Sequence, residues 1–142
     1  MIQTFVPDST SYAASVKVLD RARLGKQRVE CLQILHALDP LWPKDGWRNH
    51  PAVKMWHGYE GALAQYALAC VEEWVSRGYN DIKCGPQLRV YAAVYPDETM
   101  PPWWGDERVH QSHRSRLMQK APDHYCSLWP QEPRDLDYFW PV

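Results

Sequence analysis

Residues 56–78, Trp56-His57-Gly58-Tyr59-Glu60-Gly61-Ala62-Leu63-Ala64-Gln65-Tyr66-Ala67-Leu68-Ala69-Cys70-Val71-Glu72-Glu73-Trp74-Val75-Ser76-Arg77-Gly78, decide the fold. Within them Trp56, Tyr59, Leu63, Tyr66, Ala67, Cys70 and Trp74 recur at steps of three and four, the spacing that lines one face of an α-helix. Arg77-Gly78 ends the run with a cation and a glycine able to take the left-handed cap. Upstream, Asn49-His50-Pro51 reads as the helix start, with proline in the first turn, where its missing N–H is not needed. Further towards the N-terminus, Asp8-Ser9-Thr10-Ser11 supplies acceptors for free helix amides, predicting a first helix from near Tyr12 to about Leu38, before Asp39-Pro40. Its apolar residues fall on two flanks, Leu24, Cys31, Leu35 and Leu38 opposite Val18, Ala22, Gly25 and Val29, as in a helix sandwiched between neighbours. Gly25 costs about 1 kcal/mol relative to alanine inside a helix, so either another group approaches the backbone there or the helix is broken in two.

Towards the C-terminus, Asp106 caps a third principal helix reaching about Lys120, with Pro122 beyond. Leu88 to Tyr95 is a short β-capable run, the residues up to Pro7 form a short strand or an extended arm, and the aromatic tail from Tyr125 to Val142 is irregular. The expectation is an all-α chain: one domain over residues 1–142, with three principal helices and long Pro- and Trp-rich connectors.

Composition narrows the possibilities. A chain of 142 residues suits one domain with a core of its own. Sixteen Lys plus Arg against seventeen Asp plus Glu leaves a formal charge of -1, so the protein is no global polycation and any phosphate binding must be local. The N-terminus lacks the layout of a secretory signal, and no stretch approaches the roughly 20 apolar residues of a membrane span. A soluble, cytoplasmic monomer with no membrane partner is expected. The four cysteines, at 31, 70, 84 and 126, form neither a metal-binding pair nor a disulfide framework and read as free, mostly buried thiols. Among the eight tryptophans, Trp42, Trp47, Trp103, Trp104 and Trp129 lie in connectors, which must therefore pack on something.

Four constellations could carry chemistry. Residues 17–30 hold Lys17, Arg21, Arg23, Lys26 and Arg28 with Asp20 and Glu30, a local charge of +3 that either grips phosphates or forms a solvated, ion-paired helix face. Arg23, Lys26, Gln27 and Glu30 share one face. There Glu30 either pairs with Lys26 or lines a cleft, held ionised by the cations and placed to stabilise a positively charged sugar-like transition state or to move protons. His110 and His113 could bind zinc with a third ligand such as His124; contact with phosphate or a base edge, together with Arg114 and Arg116, suits them better, and a solvated helix face is the plainest reading. The tail aromatics either stack on bases or cover the core. No Gly-rich phosphate loop, GxSxG elbow, HExxH or kinase signature is present.

Five segments, in order along the chain, carry a family resemblance: Leu19-Asp20-Arg21-Ala22-Arg23-Leu24-Gly25-Lys26-Gln27-Arg28-Val29-Glu30, Trp47-Arg48-Asn49-His50-Pro51-Ala52-Val53, Arg77-Gly78-Tyr79-Asn80, Pro101-Pro102-Trp103-Trp104-Gly105-Asp106 and Ser112-His113-Arg114-Ser115. The chain resembles the pyrimidine-dimer DNA glycosylase/abasic-site lyases of the phage endonuclease V type, especially their bacterial branch. The resemblance implies an all-helical domain whose N-terminal α-amine is the nucleophile and whose essential glutamate lies in the first long helix, at Glu30. Because Ile2 is bulky, Met1 is expected to be retained and to supply the amine. The same resemblance implies attack at the sugar C1′, an imine, β-elimination, and no metal or organic cofactor. It implies DNA as partner, contacted by Arg21, Arg23, Lys26, Gln27, Arg48, Asn49, His50, His113 and Arg114. Two other readings stand beside this DNA-repair enzyme: a non-catalytic nucleic-acid-binding module, and an enzyme acting on a modified nucleotide outside duplex DNA.

Overall fold

The computed structural model describes residues 2–43 and 46–142. Over them the chain is helical and without strands: α1 (Tyr12–Lys17), α2 (Arg21–Leu38), α3 (Pro51–Lys54), α4 (Glu60–Ser76), α5 (Cys84–Val94), α6 (Glu107–Lys120) and α7 (Pro122–Tyr125). The all-α expectation holds, with α2, α4 and α6 as the principal helices and α5 as a further long one.

Both long helices predicted in the first half are divided. The first breaks at Val18–Asp20, because the Asp20 N–H donates to the Tyr125 hydroxyl at 2.8 Å while its carboxylate accepts from that hydroxyl and from Arg23 at 3.1 Å. Leu19 is thereby turned into the core. Ser11 caps α1, its Oγ accepting the Ala14 N–H at 3.0 Å. Gly25 sits inside an unbroken α2, and a close approach explains it: a Cβ there would stand 3.1 Å from the Trp74 ring of α4. The second predicted helix divides at Gly58, whose φ of 84° turns the chain between α3 and α4. His50 and Pro51 start α3 as expected, with His50 Nδ1 accepting the Ala52 N–H at 3.0 Å. Gly78 ends α4 as expected: its N–H reaches the Val75 carbonyl at 2.9 Å, and the Tyr79 N–H reaches that of Trp74 at 3.3 Å.

The β-capable run is corrected. Residues 88–95 belong mostly to α5, because Cys84, Leu88 and Tyr91 keep helical spacing towards the core and leave Val90 and Val94 to solvent. Asp81 steadies its first turn by accepting the Gly85 N–H at 2.6 Å. Asp106 caps α6 as predicted, accepting the Arg108 N–H at 3.1 Å.

Helix α4 packs against α1, α2 and α5. Cys31, Cys70 and Cys84 are buried, Cys126 is partly exposed, and all four thiols are free. The connector indoles find partners: Trp103 donates to the Met55 carbonyl at 2.8 Å, Trp104 to that of Ser9 at 3.1 Å, and Trp129 stacks on Tyr125 at 5.5 Å. No described helix is long and apolar enough to cross a membrane. The segment after α5 crosses α4 at Gly61, where a Cβ would lie 1.9 Å from the Asp97 carbonyl oxygen. Backbone must therefore move in Gly61→Ala, which is expected to lose about 1–3 kcal/mol in urea unfolding. An unchanged midpoint would show the crossing to be loose.

Candidate active site

The N-terminal segment is an extended, buried arm with no sheet to join, so its backbone groups must be satisfied by side chains. Gln27 of α2 supplies two of these bonds: Oε1 accepts the Phe5 N–H at 2.9 Å, and Nε2 donates to the Gln3 carbonyl at 3.0 Å. Tyr66 of α4 donates to the Phe5 carbonyl, and Trp56 donates to Thr4 Oγ1 at 2.9 Å. From α6, His113 Nδ1 accepts the Val6 N–H at 3.0 Å. His110 Nε2 accepts the Gly105 N–H at 3.0 Å, which leaves Nδ1 to donate to the Val6 carbonyl at 2.6 Å. Arg114 donates to the Pro7 carbonyl at 2.8 Å.

Against this arm lies a cleft of about 200 Å³ lined by Gln3, Phe5, Arg23, Lys26, Glu30, Lys120 and Tyr138, together with Ala22 and Gln27. The polar strip predicted on α2 thus does line a cleft. Glu30 Oε2 accepts the Gln3 backbone N–H at 3.3 Å and Gln27 Nε2 at 3.2 Å. Among the described residues it forms no ion pair with Lys26. Burial raises the Glu30 carboxyl above its ordinary range, outweighing the Gln3 N–H, Lys26 and Gln27 that favour the anion. Burial thus opposes the cations that were expected to hold Glu30 ionised. Lys120 is held below the usual lysine range by partial burial and then by Arg116, Arg23 and Lys26.

Arg23, Lys26, Gln27 and Glu30 converge on the cleft; the remaining sequence-predicted residues are dispersed. Met1 lies outside the described residues. Arg21 is exposed at the start of α2, its guanidinium 5.1 Å from the Tyr79 ring centre. Arg48 borders a separate hollow of about 470 Å³ with Ala37, Leu38, Pro40, Val53, Lys54 and His57. That hollow is the larger, yet it lacks the half-buried carboxylate and converging amides of the cleft. Asn49 is exposed. His50 caps α3 and meets Trp140 at 5.8 Å, while Trp140 lies 5.2 Å from cleft-lining Tyr138. His113 is buried, and Arg114 is engaged by Glu107, by Glu132 at 2.5 Å and by the arm; neither lines the cleft. The solvated-face and zinc readings of the α6 histidines are corrected as well: both rings are buried against the arm, His124 instead bonds the Val18 carbonyl at 2.9 Å, and no cluster of metal-ligating side chains forms among the described residues. Arg28 leaves the basic cluster to pair with buried Asp81 at 2.5 Å, over the Trp74 ring.

Sequence reasoning did not single out Gln3, Phe5, Lys120 or Tyr138 for the cleft. The one local signal was Gln3, a polar amide that with Thr4 interrupts the apolar residues Ile2, Phe5 and Val6. No match was found among curated proteins or solved structures. A family comparison does match, over residues 2–83, which span the arm, α2 and the Glu30 side of the cleft. On that match the chain belongs to the pyrimidine dimer DNA glycosylases, a family of DNA-repair enzymes.

Proposed function

We propose that the protein removes a damaged or modified pyrimidine from DNA, with the α-amine of Met1 as nucleophile and Glu30 as the essential carboxylate. The observation that carries this reading is the 3.3 Å bond from the Gln3 N–H to Glu30 at an open cleft. The first nitrogen of the chain is two residues from that bond, a reach of about 7 Å at most. An α-amine has a pKa of about 7.7–8.0, so part of it is neutral at pH 7 and able to attack C1′. The sugar ring then opens to an imine, and β-elimination nicks the strand, giving abasic-site lyase activity. Glu30 stabilises the opening sugar and relays protons, while Arg23 and Lys26, with Arg21 further along α2, hold phosphates. Extrusion of a nucleotide from the stack supplies access.

Borohydride trapping with a duplex containing an abasic site tests the reading. A covalent adduct is expected, lost when the N-terminal amine is blocked. Duplex binding without any adduct would instead make the protein a binding module. For the phosphate role, Lys26→Glu is expected to weaken duplex binding and flatten its salt dependence by about one unit of log–log slope or more. Binding with an unaltered slope would remove Lys26 from the phosphate contacts.

A further inference from the structure

Gln3 presents an amide whose two ends have unequal fates. Its Oε1 accepts the Thr4 N–H at 2.8 Å, which fixes the orientation of the amide. The other end, Nε2, is buried and has no hydrogen-bond partner among the described residues. Gln3 is only 2% exposed, yet it lines the cleft together with Glu30, Phe5 and Tyr138. A buried donor without an acceptor destabilises a fold, and such groups persist where a ligand completes them. Nearby acceptors are directed elsewhere: Gln27 Oε1 accepts the Phe5 N–H, and Glu30 Oε2 accepts the Gln3 main-chain N–H and Gln27 Nε2.

We infer that the Gln3 side-chain amide donates to the O2 carbonyl of the departing pyrimidine and stabilises it as a leaving group. The inference rests on the glycosylase reading and adds to it a residue acting on the base rather than on the sugar. As the amine lone pair forms the bond to C1′, the C1′–N1 bond breaks and its electrons pass to the base, where they spread from N1 onto O2. The attacking nitrogen loses a proton and the base gains one, so the base leaves neutral. A donor fixed at O2 binds this developing anion more strongly than the intact nucleotide, which lowers the barrier to base release. Formation of an imine at an abasic site, where the base is already gone, makes no use of it.

The test compares two single-turnover rates for each protein: base excision from a duplex carrying a thymine dimer, and borohydride-trapped imine formation on a duplex carrying a preformed abasic site. Gln3→Glu keeps the acceptor for the Thr4 N–H and removes the donor; Gln3→Met removes both. In each variant the ratio of excision to trapping is expected to fall roughly 100-fold, the scale of losing one donor to a developing anion. A ratio equal to that of the wild type, including a proportional loss of both rates, overturns the inference and leaves the glycosylase reading standing. Wild-type trapping without excision of the dimer overturns it too. Absence of trapping by the wild type overturns both.

Discussion

Glu30→Gln is expected to abolish turnover while duplex binding survives. The substitution conserves shape and keeps an oxygen to accept the Gln3 N–H and Gln27 Nε2, so the arm and the cleft wall remain in place. In the proposed mechanism, what disappears is the charge that faces the opening sugar and the site that relays protons, an expected loss of roughly 100- to 10,000-fold in single-turnover base excision. Binding, carried by cations on the same face, is expected to change little. Unaltered turnover would remove Glu30 from the mechanism. Burial raises the carboxyl above 4.5; with the anion as the working form in the proposed mechanism, the acid limb of the wild-type pH profile is expected above that value. A limb at or below 4.5 would show the carboxylate to be better hydrated than the cleft geometry implies.

The second large effect concerns stability in acid. His113 is buried, accepts the Val6 N–H through Nδ1, and is held neutral: burial, followed by neighbouring His110 and Arg114, pushes its pKa down from 6.5 to about 3. Below pH 6.5 the unfolded chain binds a proton that the folded chain refuses, so stability falls as the pH drops from 6.5 towards 3. The loss is about 1.4 kcal/mol per pH unit, or roughly 3 kcal/mol by pH 4.5. His113→Asn retains an acceptor near the Nδ1 position and removes the titration. Urea midpoints for both proteins at pH 7 and pH 4.5 isolate the difference, because every other group titrates in both. Parallel acid losses would acquit His113.

The legibility of these features in the sequence follows from how local their causes are. Helices α4 and α6 were readable because apolar spacing and caps such as Gly78 and Asp106 act within a few residues. The division at Asp20 was not, since Tyr125 enforces it from across the molecule. At α5 the local β-preference of Val90 and Val94 misled, because both side chains face solvent and the core-facing residues set the period. The strip Arg23, Lys26, Gln27 and Glu30 was found by spacing alone, but whether it bordered a cleft depended on α6 and the tail, which supply Lys120 and Tyr138. His113 and Arg114 stood out in sequence as polar residues on a helix, and what makes them polar is the arm they hold.

That arm has a temporal consequence. Val6 finds its partners at His110 and His113, and Pro7 at Arg114, more than a hundred residues later. This segment precedes α6 in the chain and must wait for it before its peptide groups are satisfied, and such distant closures come late in folding. A nascent or prematurely ended chain can make α2 and α4, but it holds no finished wall opposite Glu30. The cleft is thus completed only when the two ends of this fold meet.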